Sequence, residues 1–156
     1  MGIDVSASTE IERAPADVAA FAMEAENDTR WIGGISSARR LTDGPTAVGT
    51  RVERVASFMG KRIDYVMEVV ELEPGRRIVL RSIKSPFPMR VTYAFEPAGA
   101  GTRASVRVEG EAEGFYKLAG GLMAPAVRKN LNGDVKRLKG IMESSPTTRV
   151  EPPGTD

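Results

Sequence analysis

MRVTYAFEPAGAGTRASVRVEGEAE, residues 89–113, alternates apolar and polar residues in two runs joined by a turn. In the second run Thr102, Ala104, Val106, Val108 and Gly110 share one face, and Arg103, Ser105, Arg107, Glu109 and Glu111 the other. In the first, Met89, Val91, Tyr93 and Phe95 oppose Arg90, Thr92, Ala94 and Glu96. A period of two over this length predicts two half-buried strands. The linking Pro97-Ala-Gly-Ala-Gly reads as the loop that turns the chain antiparallel.

The same alternation extends upstream. Thr50 to Phe58 turns at Met59-Gly60-Lys61 into Ile63 to Leu72, a hairpin signal. Glu73-Pro-Gly is a further turn, followed by a strand from Arg77 to Ile83. Ser85-Pro-Phe-Pro is then a stiff loop, because each proline removes a ladder donor. At the start of the chain Ile3, Val5, Ala7, Thr9 and Ile11 alternate with polar residues as an opening strand. Ala14-Pro-Ala-Asp-Val then begins a helix, with Pro15 at its first position and Asp17 in its electropositive first turn. Asn27-Asp-Thr reads as the cap of a second short helix carrying Trp31, which Gly33-Gly34 ends. Ile35 to Leu41 is a short, weakly marked strand.

The chain closes on a helix. Ala119, Met123, Val127, Leu131, Val135, Leu138 and Met142 make one apolar stripe at spacings of four and three. From Phe115 to Glu143 such a helix would run roughly 40 Å, with Pro125 expected to kink or break its first turns. Residues 1–143 are therefore expected to form one domain, and the polar, proline-rich residues 144–156 a disordered tail. No internal repeat is visible.

Composition narrows the function classes. The chain of 156 residues is long enough to bury a core without staples. A net charge of +1 gives no electrostatic case for nucleic acid, and basic residues are mixed with acids instead of interleaved with aromatics. There is no cysteine and no histidine. The first excludes disulfide and thiolate chemistry; the second removes the usual general base and the commonest transition-metal ligand. No metal or cofactor is expected. Neither Gly99-Ala-Gly nor Gly120-Gly121 sits in the context of a phosphate-binding loop. No apolar run is long enough to cross a bilayer and no signal peptide is evident, so a cytoplasmic location is expected. The excess of Arg over Lys hints at a GC-rich bacterial genome.

Several residues could carry chemistry. Glu109, Glu111 and Glu113 share a strand face, but with Arg103 and Arg107, which favours a solvated face over acid–base work. Asp64 and Glu68 alternate with Tyr65 and Met67, again an outer face. Arg54 follows the parity of Val52, Ala56 and Phe58; if these face inward, so does a cation that must then be paired. A neighbouring carboxylate is the expected partner, and a ligand carboxylate or enolate the alternative. Tyr65, Tyr93 and Tyr116 offer hydroxyls at the edge of an apolar space, Trp31 is expected to anchor packing, and Phe87 between two prolines could gate an opening.

In order and spacing these elements resemble the START-like group of SRPBCC proteins, specifically its bacterial polyketide cyclase/dehydratase branch. The motifs are Ile11-Glu-Arg-Ala-Pro-Ala-Asp-Val, Trp31, Val48-Gly-Thr, Gly60 at a hairpin, Glu73-Pro-Gly-Arg-Arg, Tyr93-Ala-Phe-Glu-Pro, Gly101-Thr-Arg and Leu138-Lys139. The family commonly has Trp where this chain has Ala19. The resemblance implies an α+β helix-grip fold: a curved seven-stranded antiparallel sheet around a long C-terminal helix, with two short helices after the first strand. It also implies a cavity for a lipid- or polyketide-like molecule.

Parity and helical phase place that site between the concave sheet and the first half of the closing helix. Tyr65, Met67, Met89, Tyr93, Phe95, Met123 and Val127 are its expected walls, with Trp31 and Phe87 near its ends and Arg54 as polar anchor. Binding or transport of a hydrophobic small molecule without catalysis is the expected function, by a monomer or homodimer. A cyclase/dehydratase is the alternative. A second alternative is a chaperone-like or membrane-lipid-handling module exposing apolar residues near Phe87, Met89, Tyr116 and Leu122.

Overall fold

The computed structural model describes residues 2–58, 60–85, 88–111 and 123–144. The alternating stretches become β1 (Gly2–Ile11), β2 (Ile35–Arg40), β3 (Arg51–Phe58), β4 (Lys61–Glu73), β5 (Arg77–Lys84), β6 (Met89–Ala98) and β7 (Gly101–Glu111). They form one seven-stranded antiparallel sheet in the order β1-β7-β6-β5-β4-β3-β2. β1 and β2 are thus consecutive in the chain but lie on opposite edges. The segment between them has to cross one end of the sheet, and it does so as α1 (Pro15–Ala22), a 3-10 turn (Ala25–Asn27) and α2 (Asp28–Trp31). Register shifts leave Ser36 of β2, Val70 of β4 and Ile83 of β5 as extra residues, bulges that sharpen local twist and bend the sheet.

Face assignments follow the alternation. Val91, Tyr93, Phe95, Thr102, Ala104, Val106 and Val108 are buried, while Glu96, Arg103 and Arg107 are exposed. The loop expected at 97–101 is shorter than the sequence suggests. Pro97 pairs with Thr102 and Ala98 with Gly101, leaving a two-residue turn that closes because Gly99 adopts a φ of 58°. The cap expected of Asn27 is also corrected: its side-chain amide donates to the Phe21 carbonyl at 2.9 Å instead of bonding α2. That bond ties the 3-10 turn back onto α1.

The closing helix, α3, spans Met123–Ser144 and buries Val127, Leu131, Val135, Leu138 and Met142 against the sheet. The expected start at Phe115, together with Ala119, falls outside the described residues. Pro125 lies in the first turn of the described helix, where a missing N–H is tolerated. Polar bonds fix the far end of α3 to β1 and its exit. Lys139 Nζ donates to the Glu10 carbonyl at 2.6 Å, Glu12 N–H to Glu143 Oε2 at 2.8 Å, and Arg13 Nη1 to the Met142 carbonyl at 2.7 Å. With its C-terminal half held down, α3 leaves its N-terminal half suspended over β3, β4 and β6. No helix among the described residues is long and apolar enough to cross a membrane.

A buried cation and two acids beside an apolar cavity

A cavity of about 150 Å³ lies between that half of α3 and the concave sheet. Its walls are mainly aliphatic: Ile32 just after α2, Ile35, Ala56 and Ile63 from β2, β3 and β4, Val91, Val106 and Val108 from β6 and β7, and Val127 and Leu131 from α3. A cavity of that volume holds a single ring, as similarly sized apolar cavities do, and falls below the roughly 300–1,000 Å³ of pockets for drug-sized ligands.

Of the residues expected at the site, Arg54, Tyr65, Met89, Tyr93 and Val127 line this cavity. Trp31, Met67 and Phe95 do not; at 1%, 0% and 1% exposed they belong to the packed core. Alternation specifies which face a residue occupies but not how far along the sheet the void extends, and that is why these three lie elsewhere. Phe87 and Tyr116 are outside the described residues, as is the Met123 side chain. Ala19, which stands where the resemblance expects Trp, is buried and does not line the cavity. Leu131 had the appearance of core on the helix stripe but faces the void, whereas Leu138 is packed at 1% exposed.

The polar end of the cavity is built around Arg54. Val52 and Arg54 share the inner face of β3, at 4% exposed each. Tyr65 is the residue directly opposite Arg54 on β4. The expected carboxylate partner is Asp28, at the start of α2 and 3% exposed: Arg54 Nε donates to its Oδ2 at 3.0 Å, and Nη2 lies 2.9 Å from the same oxygen. Burial opposes the Arg54 cation, yet the neighbouring Asp28 carboxylate more than offsets it and holds the guanidinium firmly protonated. Burial likewise pushes the Asp28 carboxyl up, with Arg54 pulling it back. The Tyr93 hydroxyl is pushed up to about 12 by burial, and Tyr65 is raised for the same reason, Arg54 opposing the shift in both. Both phenols therefore stay protonated and remain hydrogen-bond donors.

Asp28 stands behind Arg54 and does not line the cavity; a second acid does. Asp134, on α3, is 6% exposed and accepts from the Gly33 N–H at 2.9 Å. Burial pushes its carboxyl up to about 6, against the Gly33 hydrogen bond and the charges of Arg137 and Arg54. Arg137 Nη2 stands 3.8 Å from Asp134 Oδ1 and occupies the space a Gly33 Cβ would take, so a side chain at position 33 would push the arginine aside. Sequence reasoning passed over Asp134, although a signal existed: it sits three residues after Leu131 and four before Leu138, inside the apolar stripe. By contrast, Glu109 is half-exposed and ion-paired with Arg107 at 3.4 Å, Asp64 pairs with Arg62, and Glu68 with Arg51. These form the solvated outer face.

Residues 2–143 match the family described as polyketide cyclase / dehydrase and lipid transport, and the chain belongs to that family. The solved structures it resembles share the fold at low identity. TTHA0849 from Thermus thermophilus is 23% identical with a TM-score of 0.78, over 92% of this chain and 99% of that one. The Zhui aromatase/cyclase from Streptomyces sp. R1128 is 14% identical with a TM-score of 0.77, over 92% and 94%. A START superfamily protein from Mycobacterium smegmatis is 16% identical with a TM-score of 0.72, over 90% and 97%. No curated protein matches the chain.

Proposed function

We propose that the protein binds a hydrophobic small molecule in the cavity beneath the N-terminal half of α3, acting in the cytoplasm as a monomer or homodimer. The observation that carries this reading is the composition of the cavity: aliphatic walls on two opposed elements, with a few polar side chains, Arg54, Tyr65 and Tyr93 among them. Apolar burial at roughly 25 cal/mol per Å² supplies the affinity, and the few polar groups set orientation. Family membership supports the same reading. Titration with toluene, followed by ligand-detected NMR, tests it. Saturable binding that is lost in Val127→Phe, which fills the void from α3, is the expected result. The absence of saturable binding, or full retention of binding in a folded Val127→Phe variant, would overturn it.

One observation favours cyclase/dehydratase chemistry as a second reading. Two protonated phenols and a carboxyl titrating near 6 face one cavity, and proton donors so placed are what enolisation and dehydration require. Turnover of a poly-β-keto substrate that falls in Tyr93→Phe would support it; unaltered substrate would leave binding as the function.

A further inference from the structure

We infer that the cavity selects neutral ligands bearing a hydrogen-bond acceptor, a ketone or a similar carbonyl on a single ring, and rejects carboxylates of the same shape. The inference rests on the binding function proposed above and concerns which chemical class fills the site.

The charges around the cavity are already matched. Arg54 is the one cation lining it among the described residues, and its Nε and Nη2 are both directed at Asp28 Oδ2. A ligand carboxylate would therefore not be meeting a free guanidinium. It would meet a cation already held from behind by Asp28, which does not line the cavity, and would face Asp134, the one acid that does among the described residues. Arg137, which offsets Asp134, is 3.8 Å from it and does not line the cavity. A buried charge without its own partner is strongly disfavoured in an apolar surround. An uncharged acceptor meets no such penalty. Tyr65 and Tyr93 remain protonated; each accepts from Arg54, whose N–H groups are shared between the two phenols and Asp28, and each keeps its own O–H as a donor. The site thus offers donors in excess of free positive charge, a combination that suits a carbonyl oxygen. A single ring matches the void of about 150 Å³ between the described walls, and the open side leaves room for a longer substituent.

Acetophenone and benzoate test this directly, because they share a ring and a planar two-branched substituent and differ chiefly in charge. Calorimetric or NMR titration at pH 7.5 should give saturable acetophenone binding at least tenfold tighter than benzoate. Equal affinity, or preference for benzoate, would overturn the inference while leaving the hydrophobic-binding function intact. Failure of toluene, acetophenone and benzoate alike would overturn both. In Asp28→Asn the neutralising anion is removed, and the acetophenone-to-benzoate affinity ratio should fall at least tenfold. A folded Asp28→Asn protein with the wild-type ratio would overturn the electrostatic origin assigned here. The wild-type comparison decides the selectivity even if that variant does not fold.

Discussion

Arg54 brings two nitrogens to one oxygen of Asp28, Nε at 3.0 Å and Nη2 at 2.9 Å, across 26 residues of sequence. The pair joins the middle of β3 to the start of α2, and so fixes the short helix that crosses the open end of the sheet. Its contribution to net stability is small if both charges are replaced together, because each ion lost hydration on burial. Removing only one has a different consequence.

Asp28→Ala should destabilise the protein by about 3–5 kcal/mol, since it strands a buried guanidinium. Asp28→Leu combined with Arg54→Met should recover most of that loss, giving a large coupling between the two sites. Urea denaturation of the two single variants and the double variant measures it; additive effects would show that the pair does not act as a unit.

Leu138→Ala should cost about 3–5 kcal/mol and Leu131→Ala about 2–3 kcal/mol, both within the range for truncated buried leucines. Leu138 is 1% exposed and lines no part of the cavity, whereas Leu131 already borders it. Chemical denaturation compares them, and equal costs would place the void elsewhere.

The pH dependence of stability should carry the mark of Asp134. Its folded value, about 6, lies above the ordinary 3.8, so between those pH values the native state holds a proton that the unfolded chain has released. Stability from this group is therefore lost as pH rises from about 4 to about 6, by roughly 1–3 kcal/mol in total. Asp134→Asn, which keeps an acceptor for Gly33, should abolish that slope and be more stable than wild type above pH 6. Parallel pH profiles of unfolding free energy in the two proteins would contradict the assignment.

Two glycines should respond oppositely to alanine. A Cβ at Gly101 would fall on the Ile11 carbonyl oxygen and within 3.2 Å of Glu12 Cα, both backbone atoms that cannot step aside. Gly101→Ala should cost about 1–3 kcal/mol by overpacking. Gly140, exposed on α3 with nothing near its Cβ position, should gain about 0.5–1 kcal/mol as alanine through helix propensity. Thermal melts of the two variants distinguish these outcomes.

Much of the architecture was legible because alternation encodes it. Val52 and Val106 announce buried faces, and Arg54 is placed inward by its neighbours before any partner is known. That partner was not legible: Asp28 reaches Arg54 only because α2 crosses the sheet end, a tertiary arrangement with no local signature. The helix stripe was read from its apolar members, and Asp134 was missed because a carboxylate within a stripe looks like an interruption of it. Met67 and Phe95 show the limit of parity, which orders residues by face and is silent about depth.

Trp31 is the sole tryptophan of the chain, and its ring meets Tyr93 edge-on at 5.5 Å between centroids, with the indole N–H unbonded among the described residues. Tyr93 in turn borders the cavity. The protein thus carries its own optical reporter one side chain removed from the ligand space: a single indole, shielded from water, that can be excited apart from the three tyrosines and whose emission should respond when its aromatic neighbour shifts. Occupancy can be followed in unlabelled protein, and every variant that retains Trp31 and Tyr93 can be read against wild type by light alone.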